Sequence, residues 1–152
     1  MEYKVLRKED LVETYIRKVL LLGIVDGDTI DVYIKQGFRQ GFEERIRLNR
    51  VDTPERRGTE SSAGKWVTDK VTEWLEAENE LWLHSISFNL DRYGRCVGDI
   101  YRMDGECLNQ WLLTNAYGWP TDEDGKIIGN RDITRLKLPT GIVNQVLLSQ
   151  RT

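Results

Sequence analysis

Five side chains in this sequence are of the right type, and stand at the right kind of place, to act on one bound group. Asp28 follows a glycine in Asp26-Gly27-Asp28, a turn between two apolar runs. Asp52 and Glu55 flank the bend in Val51-Asp52-Thr53-Pro54-Glu55. Pro54 locks its own φ and pushes Thr53 towards an extended conformation. Arg47 lies five residues before Asp52, and Arg95 follows Asp91-Arg92-Tyr93-Gly94, whose glycine permits a sharp bend. Two carboxylates at the ends of neighbouring strands can converge on a hard cation. Calcium takes carboxylate and carbonyl oxygens and tolerates irregular geometry. A third carboxylate on the loop leading away, Glu55, can orient or deprotonate a metal-bound water. The planar fork of arginine suits a phosphate and stays charged at any relevant pH. Each residue also has a plainer use. Asp-Gly makes hairpin turns, surface arginines pair with acids, and a glutamate before Arg56-Arg57 can simply be solvated. Singly, those readings stand; taken together, the five residues describe a cation, a water and a phosphate meeting at one place.

The elements that must position them follow from the apolar pattern. Tyr15 to Val25 and Thr29 to Ile34 read as two strands of a hairpin turning at Asp26-Gly27-Asp28. Lys35 to Glu44 reads as an exposed loop or a lengthened hairpin end, and Arg45 to Val51 as a third strand. Thr59 to Ser62 offers N-cap residues for a helix whose Val67, Val71, Trp74 and Leu75 share a face, with Trp66 at its edge; it should stop near Ala77 to Asn79. Leu81 to Leu90 and Cys96 to Arg102 return to strand character, and the turn Met103 to Glu106 closes the second. A short helix follows with Leu108, Trp111, Leu112 and Asn115 on one face, ending near Gly118. Beyond Pro120 the pattern weakens to an acidic loop, Thr121 to Lys126. A last short helix carries Ile142, Val143, Val146 and Leu147, with Thr140 as its expected cap. The order predicts an α+β, mainly β chain: a five-stranded OB-type barrel with two to three helices. We expect one domain over 1–152, with a core of about 13–119 and a divergent tail, 120–152.

The bulk properties narrow the function. The 152 residues are 39% hydrophobic and 31% charged, as in a globular protein with a real core. There is no apolar run of membrane-spanning length, and Met1 to Val12 lacks the pattern of a signal peptide. The expectation is therefore a cytoplasmic protein as given, or a secreted one whose signal was removed. Cys96 and Cys107 are too few for a disulfide framework and wrongly spaced for zinc; they read as reduced, half-buried residues. The single histidine, His84, excludes a histidine-based metal site and reads as a strand residue. A net charge of −3 excludes a protein that coats nucleic acid through general basicity, so a polyanion must be bound locally.

In three places the sequence resembles the staphylococcal (micrococcal) nuclease family. They are Val25-Asp26-Gly27-Asp28-Thr29, the stretch from Arg47 through Val51-Asp52-Thr53-Pro54-Glu55, and Asp91-Arg92-Tyr93-Gly94-Arg95. Order and internal spacing agree, and Tyr101, Asp104-Gly105 and Asn109 also stand where that family has similar residues. The resemblance covers roughly Leu20 to Gly118. It implies calcium held by the carboxylates of Asp28 and Asp52 and the main-chain carbonyl of Thr53. It implies Glu55 acting on the attacking water and Arg47 and Arg95 on the scissile phosphate. Tyr93 would meet a substrate phosphate, and Asp26 would stand behind the ion through water. The reaction so implied is hydrolysis of DNA or RNA that leaves a 3′-phosphate and a 5′-hydroxyl, with no obligatory protein partner and no membrane.

The departures are as specific as the match. Lys35 to Glu44 is longer than in the best-known member, and Asn49-Arg50 replaces a small or apolar pair. If strand alternation holds, Arg50 points away from Arg47 and needs a partner or solvent. After Gly118 the match fails: the long basic C-terminal helix of the best-known member is not evident in the sequence. Tyr117 and Trp119 follow the second helix, where the family stacks an aromatic on a base, although aromatics so placed also fill cores. The rival reading is a catalytically inactive OB-fold module that binds nucleic acid or protein. Against it, Asp28 and Glu55 beside a phosphate site would repel the backbone unless a cation were present.

Overall fold

The computed structural model describes residues 5–10, 15–78, 80–86 and 95–151. Expectations for residues 87–94, including Tyr93 and its turn, lie outside the described residues. The elements are β1 (Ile16–Asp26), β2 (Thr29–Gly37), β3 (Gln40–Leu48), β4 (Val51–Asp52), α1 (Ser61–Glu76), β5 (Leu81–Ser85), β6 (Cys96–Arg102), α2 (Leu108–Thr114), β7 (Trp119–Pro120) and α3 (Thr140–Gln150). Five strands close into a barrel in the order β1-β2-β3-β6-β5, and β4 pairs with β7 as a separate two-stranded ribbon. This is the expected OB-type architecture.

Register explains how the barrel rim collects charge. Asp26 pairs with Thr29 across the Gly27-Asp28 turn, and Thr29 pairs in turn with Arg47. The Leu48 amide donates to the Asp28 carbonyl at 2.8 Å, so the tip of the first hairpin is tied to the end of β3. β3 runs parallel to β6, with Ile46 opposite Cys96 and Arg47 opposite Val97, which brings Arg95 to the same rim.

Two apolar clusters hold the chain together. Inside the barrel, Val19, Ile30, Val32, Ile46, Leu83 and Ile100 meet Val67, Val71 and Leu75 of α1 and Leu112 of α2. Each such side chain contributes roughly 1.5–3 kcal/mol on burial. Ala63 of α1 faces the other way, into a smaller cluster with Trp119, Ile133, Leu136 and Val146. The residues after Pro120 therefore pack on the first turns of α1 through a core of their own.

Several expectations need correction. Lys35 to Glu44 is the lengthened hairpin: β2 and β3 run on to Gly37 and Gln40, and the turn is Phe38-Arg39, both left-handed (φ 51° and 62°) as a two-residue primed turn requires. The third strand does not reach Val51. It breaks at Asn49-Arg50, where Arg50 is left-handed (φ 63°), so strand alternation does not apply to this pair. Asn109 of α2 holds that break, its side-chain amide donating to the carbonyls of Asn49 at 2.9 Å and Gly98 at 3.2 Å. Neither expected helix cap forms. Glu60, not a residue with a short hydroxyl, precedes α1, and Pro139 precedes α3, with Thr140 already helical. Both cysteines are free and half-buried, and His84 lies in β5, as expected.

Candidate active site at the barrel rim

Asp28 and Asp52 come together because two backbone segments touch. A Cβ at Gly27 would lie 2.9 Å from both Thr53 Oγ1 and Val67 Cγ1, so only glycine lets the hairpin tip press against the loop after β4. Asp28 is buried, its Oδ1 accepting from Thr29 Oγ1 and its Oδ2 from the Thr53 amide, both at 2.9 Å. Its carboxylate is thereby fixed against the residue whose carbonyl is the third candidate oxygen.

Arg47 reaches between the two acids. Its Nη2 stands 3.7 Å from Asp28 Oδ2 and 3.7 Å from Asp52 Oδ1. Its Nη1 donates to the carbonyls of Leu48 at 2.8 Å and Val51 at 2.6 Å, which anchors the guanidinium on the strand break. Burial pushes the Asp52 carboxyl up to about 6, and the Asp28 charge pushes in the same direction; Arg131 and Arg47 oppose them. Desolvation and this mutual repulsion both disfavour the charged form of Asp52.

A hard cation would relieve that repulsion, and the donors that face it are all oxygen. Asp28, Asp52 and the Thr53 carbonyl are the groups that could hold it. Among the described residues no cluster of three or more His, Cys, Asp or Glu side chains is placed to hold an ion, so any such site must draw on the main chain. Thr53 Oγ1 is also buried at this spot without a hydrogen-bond partner.

Glu55 lies on the outward side of the same loop, with its side chain 62% exposed. Its carboxyl is raised first by partial burial and then by the Asp28 charge, which makes it a better proton acceptor than a free surface glutamate. Helix α1 packs on the backbone here: a Cβ at Gly64 would come within 2.1 Å of the Glu55 carbonyl. Asp26, at the end of β1, is raised by burial and then by Asp28, so it feels the same cluster from behind.

Arg47 and Arg95 line one cleft of about 510 Å³ with Arg50, and the turn Thr121 to Lys126 forms its far wall. Arg50 finds its partner there, 3.2 Å from Glu123. The structure thus brings together Asp28, Arg47, Asp52, Thr53 and Glu55, with Asp26 beside them and Arg95 on the adjoining cleft. Trp119 is not a free stacking surface: it is buried, and its Nε1 donates to the Asp132 carbonyl at 2.9 Å. Tyr117 packs edge-on against Trp66 and Trp111.

Two residues of this site were not foreseen from the sequence. Arg131 donates through Nη1 to Asp52 Oδ2 at 2.6 Å and through Nη2 to the Thr53 carbonyl at 3.2 Å. Glu60 grips the same guanidinium with both oxygens. Arg131 stands 79 residues beyond Asp52, so no local spacing could have disclosed the contact.

The family model described as Staphylococcal nuclease homologue matches residues 45–132, more than half of the chain. The chain belongs to the staphylococcal nuclease homologue family. The match runs past Gly118, where the resemblance read from the motifs stops, and takes in Arg131. Among relatives of this nuclease homologue, the succinoglycan biosynthesis protein ExoI of Rhizobium meliloti (strain 1021) is 32% identical over 110 residues, covering 68% of this chain and 52% of the relative. An uncharacterized endonuclease of Escherichia coli O157:H7 is 32% identical over 96 residues, covering 63% and 56%. The staphylococcal-like nuclease CAN1 of Arabidopsis thaliana is 35% identical over 75 residues, covering 49% and 21%. The chain spans about half the length of the first two relatives. No helix among the described residues is long and apolar enough to cross a membrane.

Proposed function

We propose that this family member is a metal-dependent nuclease that hydrolyses phosphodiester bonds of DNA or RNA, with calcium as the metal. The observation that carries the reading is the convergence on one barrel rim of two mutually repelling carboxylates, a carbonyl, an arginine aimed between them and a glutamate of raised proton affinity. The names of the endonuclease and nuclease relatives support it. Residues 1–152 act in this reading as one unit, barrel and tail together.

Asp28, Asp52 and the Thr53 carbonyl would hold the ion, with Asp26 behind them; once bound, the ion supplies positive charge to the phosphate and lowers the pKa of water. Glu55 takes the proton of the attacking water as its oxygen bonds to phosphorus. The phosphorus–O5′ bond breaks and the leaving oxygen is protonated from solvent, giving 3′-phosphate and 5′-hydroxyl ends. Arg47 and Arg95 hold the equatorial oxygens, where negative charge grows in the transition state. Tyr93, beside Arg95 in sequence, is assigned to a neighbouring phosphate. Against the net charge of −3, the cleft itself carries Arg47, Arg50, Arg95 and Lys126 beside Asp122, Glu123 and Asp124, so the basic groups slightly outnumber the acidic ones where a phosphate would lie.

The test is cleavage of denatured DNA and of RNA with calcium and with chelator, beside Glu55→Ala prepared in the same way. Calcium-dependent cleavage that leaves 3′-phosphates and is lost in the variant is the expected result. Folded protein that binds nucleic acid and never cuts it would instead establish the inactive OB-fold module.

A further inference from the structure

Arg131 makes four side-chain hydrogen bonds at this rim. Its Nε and Nη2 meet the two oxygens of Glu60 at 3.0 and 2.8 Å. Its Nη2 also reaches the Thr53 carbonyl at 3.2 Å, and its Nη1 takes Asp52 Oδ2 at 2.6 Å. The guanidinium plane lies over the Trp119 ring, 4.5 Å from its centroid. Glu60 Oε1 in turn accepts the Glu55 amide at 2.9 Å. One rigid fork therefore touches, directly or through Glu60, three functional positions of the loop: the Asp52 carboxylate, the Thr53 carbonyl and Glu55, whose Oε1 stands 3.7 Å from Nη2 and whose amide is held by Glu60.

We propose that the Glu60–Arg131 pair is a positioning device for the cation site, holding Asp52, the Thr53 carbonyl and the Glu55 main chain in mutual register while hydrogen-bonding only one of the two Asp52 oxygens, the other facing Arg47. The inference deepens the proposed function and rests on it. A displaceable plug would be built differently. Swinging Arg131 away would strand Glu60, whose side chain is 10% exposed, as an uncompensated buried charge. Together the two side chains carry no net charge, so the pair orients Asp52 without cancelling the acidity of the cluster as a whole. A planar guanidinium is also required: an ammonium is a point donor and cannot span Glu60, Asp52 and the Thr53 carbonyl at once. Groups that orient metal ligands in this way typically matter 10–100-fold in affinity or activity. The pair also gives the residues after Pro120 a task, because Trp119 and the small core around Ile133 seat Arg131 against the loop.

Two variants test this by calcium titration calorimetry, with melting curves run alongside. The first is the double substitution Glu60→Gln with Arg131→Met, which exchanges a neutral pair for a neutral pair. The second is Arg131→Lys, which keeps the charge and loses the fork. Both are expected to melt cooperatively, to bind calcium about 10–100-fold more weakly, and to lose kcat by a similar factor with KM little changed. Affinity equal to that of the unaltered protein in either variant overturns the positioning role, whatever the melting temperature does. Tighter binding also overturns it, since Arg131 would then be a competitor of the ion. If the unaltered protein itself takes up no calcium, the functional reading falls first and this inference with it, so the two failures are told apart in one experiment.

Discussion

The barrel and the tail each send one arginine to Asp52, and the two are built to opposite ends. Arg47 comes from β3, five residues away, and hangs from the carbonyls of Leu48 and Val51 with its Nη2 3.7 Å from either acid. It borders an open cleft and stands just outside hydrogen-bond distance of the carboxylates it faces. Arg131 comes from the tail, is saturated by Glu60, Asp52 and Thr53, and is stacked on Trp119. One guanidinium keeps an Nη2 outside hydrogen-bond distance of the acids it faces; the other is bonded through Nε, Nη1 and Nη2. The difference teaches that two arginines on one carboxylate can be held in different ways, one by main-chain carbonyls and the other by a second, buried acid.

The sharpest break in that comparison comes from the barrel side. Glu55→Ala should lower turnover by about 10²–10⁴ with calcium affinity nearly unchanged, read from single-turnover cleavage beside calorimetry. Unchanged turnover would remove Glu55 from the mechanism. Arg47→Ala should cost about 10²–10³ in kcat at saturating substrate. A loss confined to KM would reassign Arg47 to ground-state binding and erase its contrast with Arg131.

Stability should divide along the same line. Ile100→Ala, in the barrel, should destabilise the protein by about 2–5 kcal/mol in denaturant melts. Val146→Ala, in the smaller core, should cost about 1–2 kcal/mol. Equal losses would mean that the two cores are not energetically distinct.

The smallest effect is an acid one. Despite its burial, Glu60 has its carboxyl held below the usual glutamate range by Arg131 and by the Glu55 amide. A depressed folded value means that its contribution is present above the unfolded value and lost as pH falls through the folded one. Stability should therefore decline as pH drops below about 4.3, and Glu60→Gln should flatten that part of the profile. A variant with the same acid slope as the parent would show that the decline arises elsewhere.

Much of the barrel was legible because its signals are local. Alternation in Leu81 to Ser85 gives buried Leu81 and Leu83 against more exposed Trp82 and His84, and the 3.6 period of Val67, Val71 and Leu75 gives a buried helix face. The motif residues were legible for the same reason, since Asp28 and Asp52 each sit in a turn whose chemistry is written beside them. Missed details arose where a distant contact overrode a local preference. Thr59 to Ser62 promised a hydroxyl cap, yet a tight 3-10 turn over Gly58–Glu60 leads straight into α1, and Glu60 at the cap position gives its carboxylate to Arg131 instead. Arg50 was expected to follow strand alternation, yet the break at Asn49 is held open by Asn109.

By itself, then, the sequence determined most of the strands and helices, the two carboxylates, the glutamate after Pro54 and the arginine five residues upstream, because each depends on neighbours within a turn or a strand. Only the tertiary structure decided that Asp28 and Asp52 share one cluster, that Trp119 is core, and that Arg131 and Glu60 belong to the site. Those facts depend on which surfaces meet when α1 is buried between two cores. No period of two or 3.6 residues reports a contact made across 79.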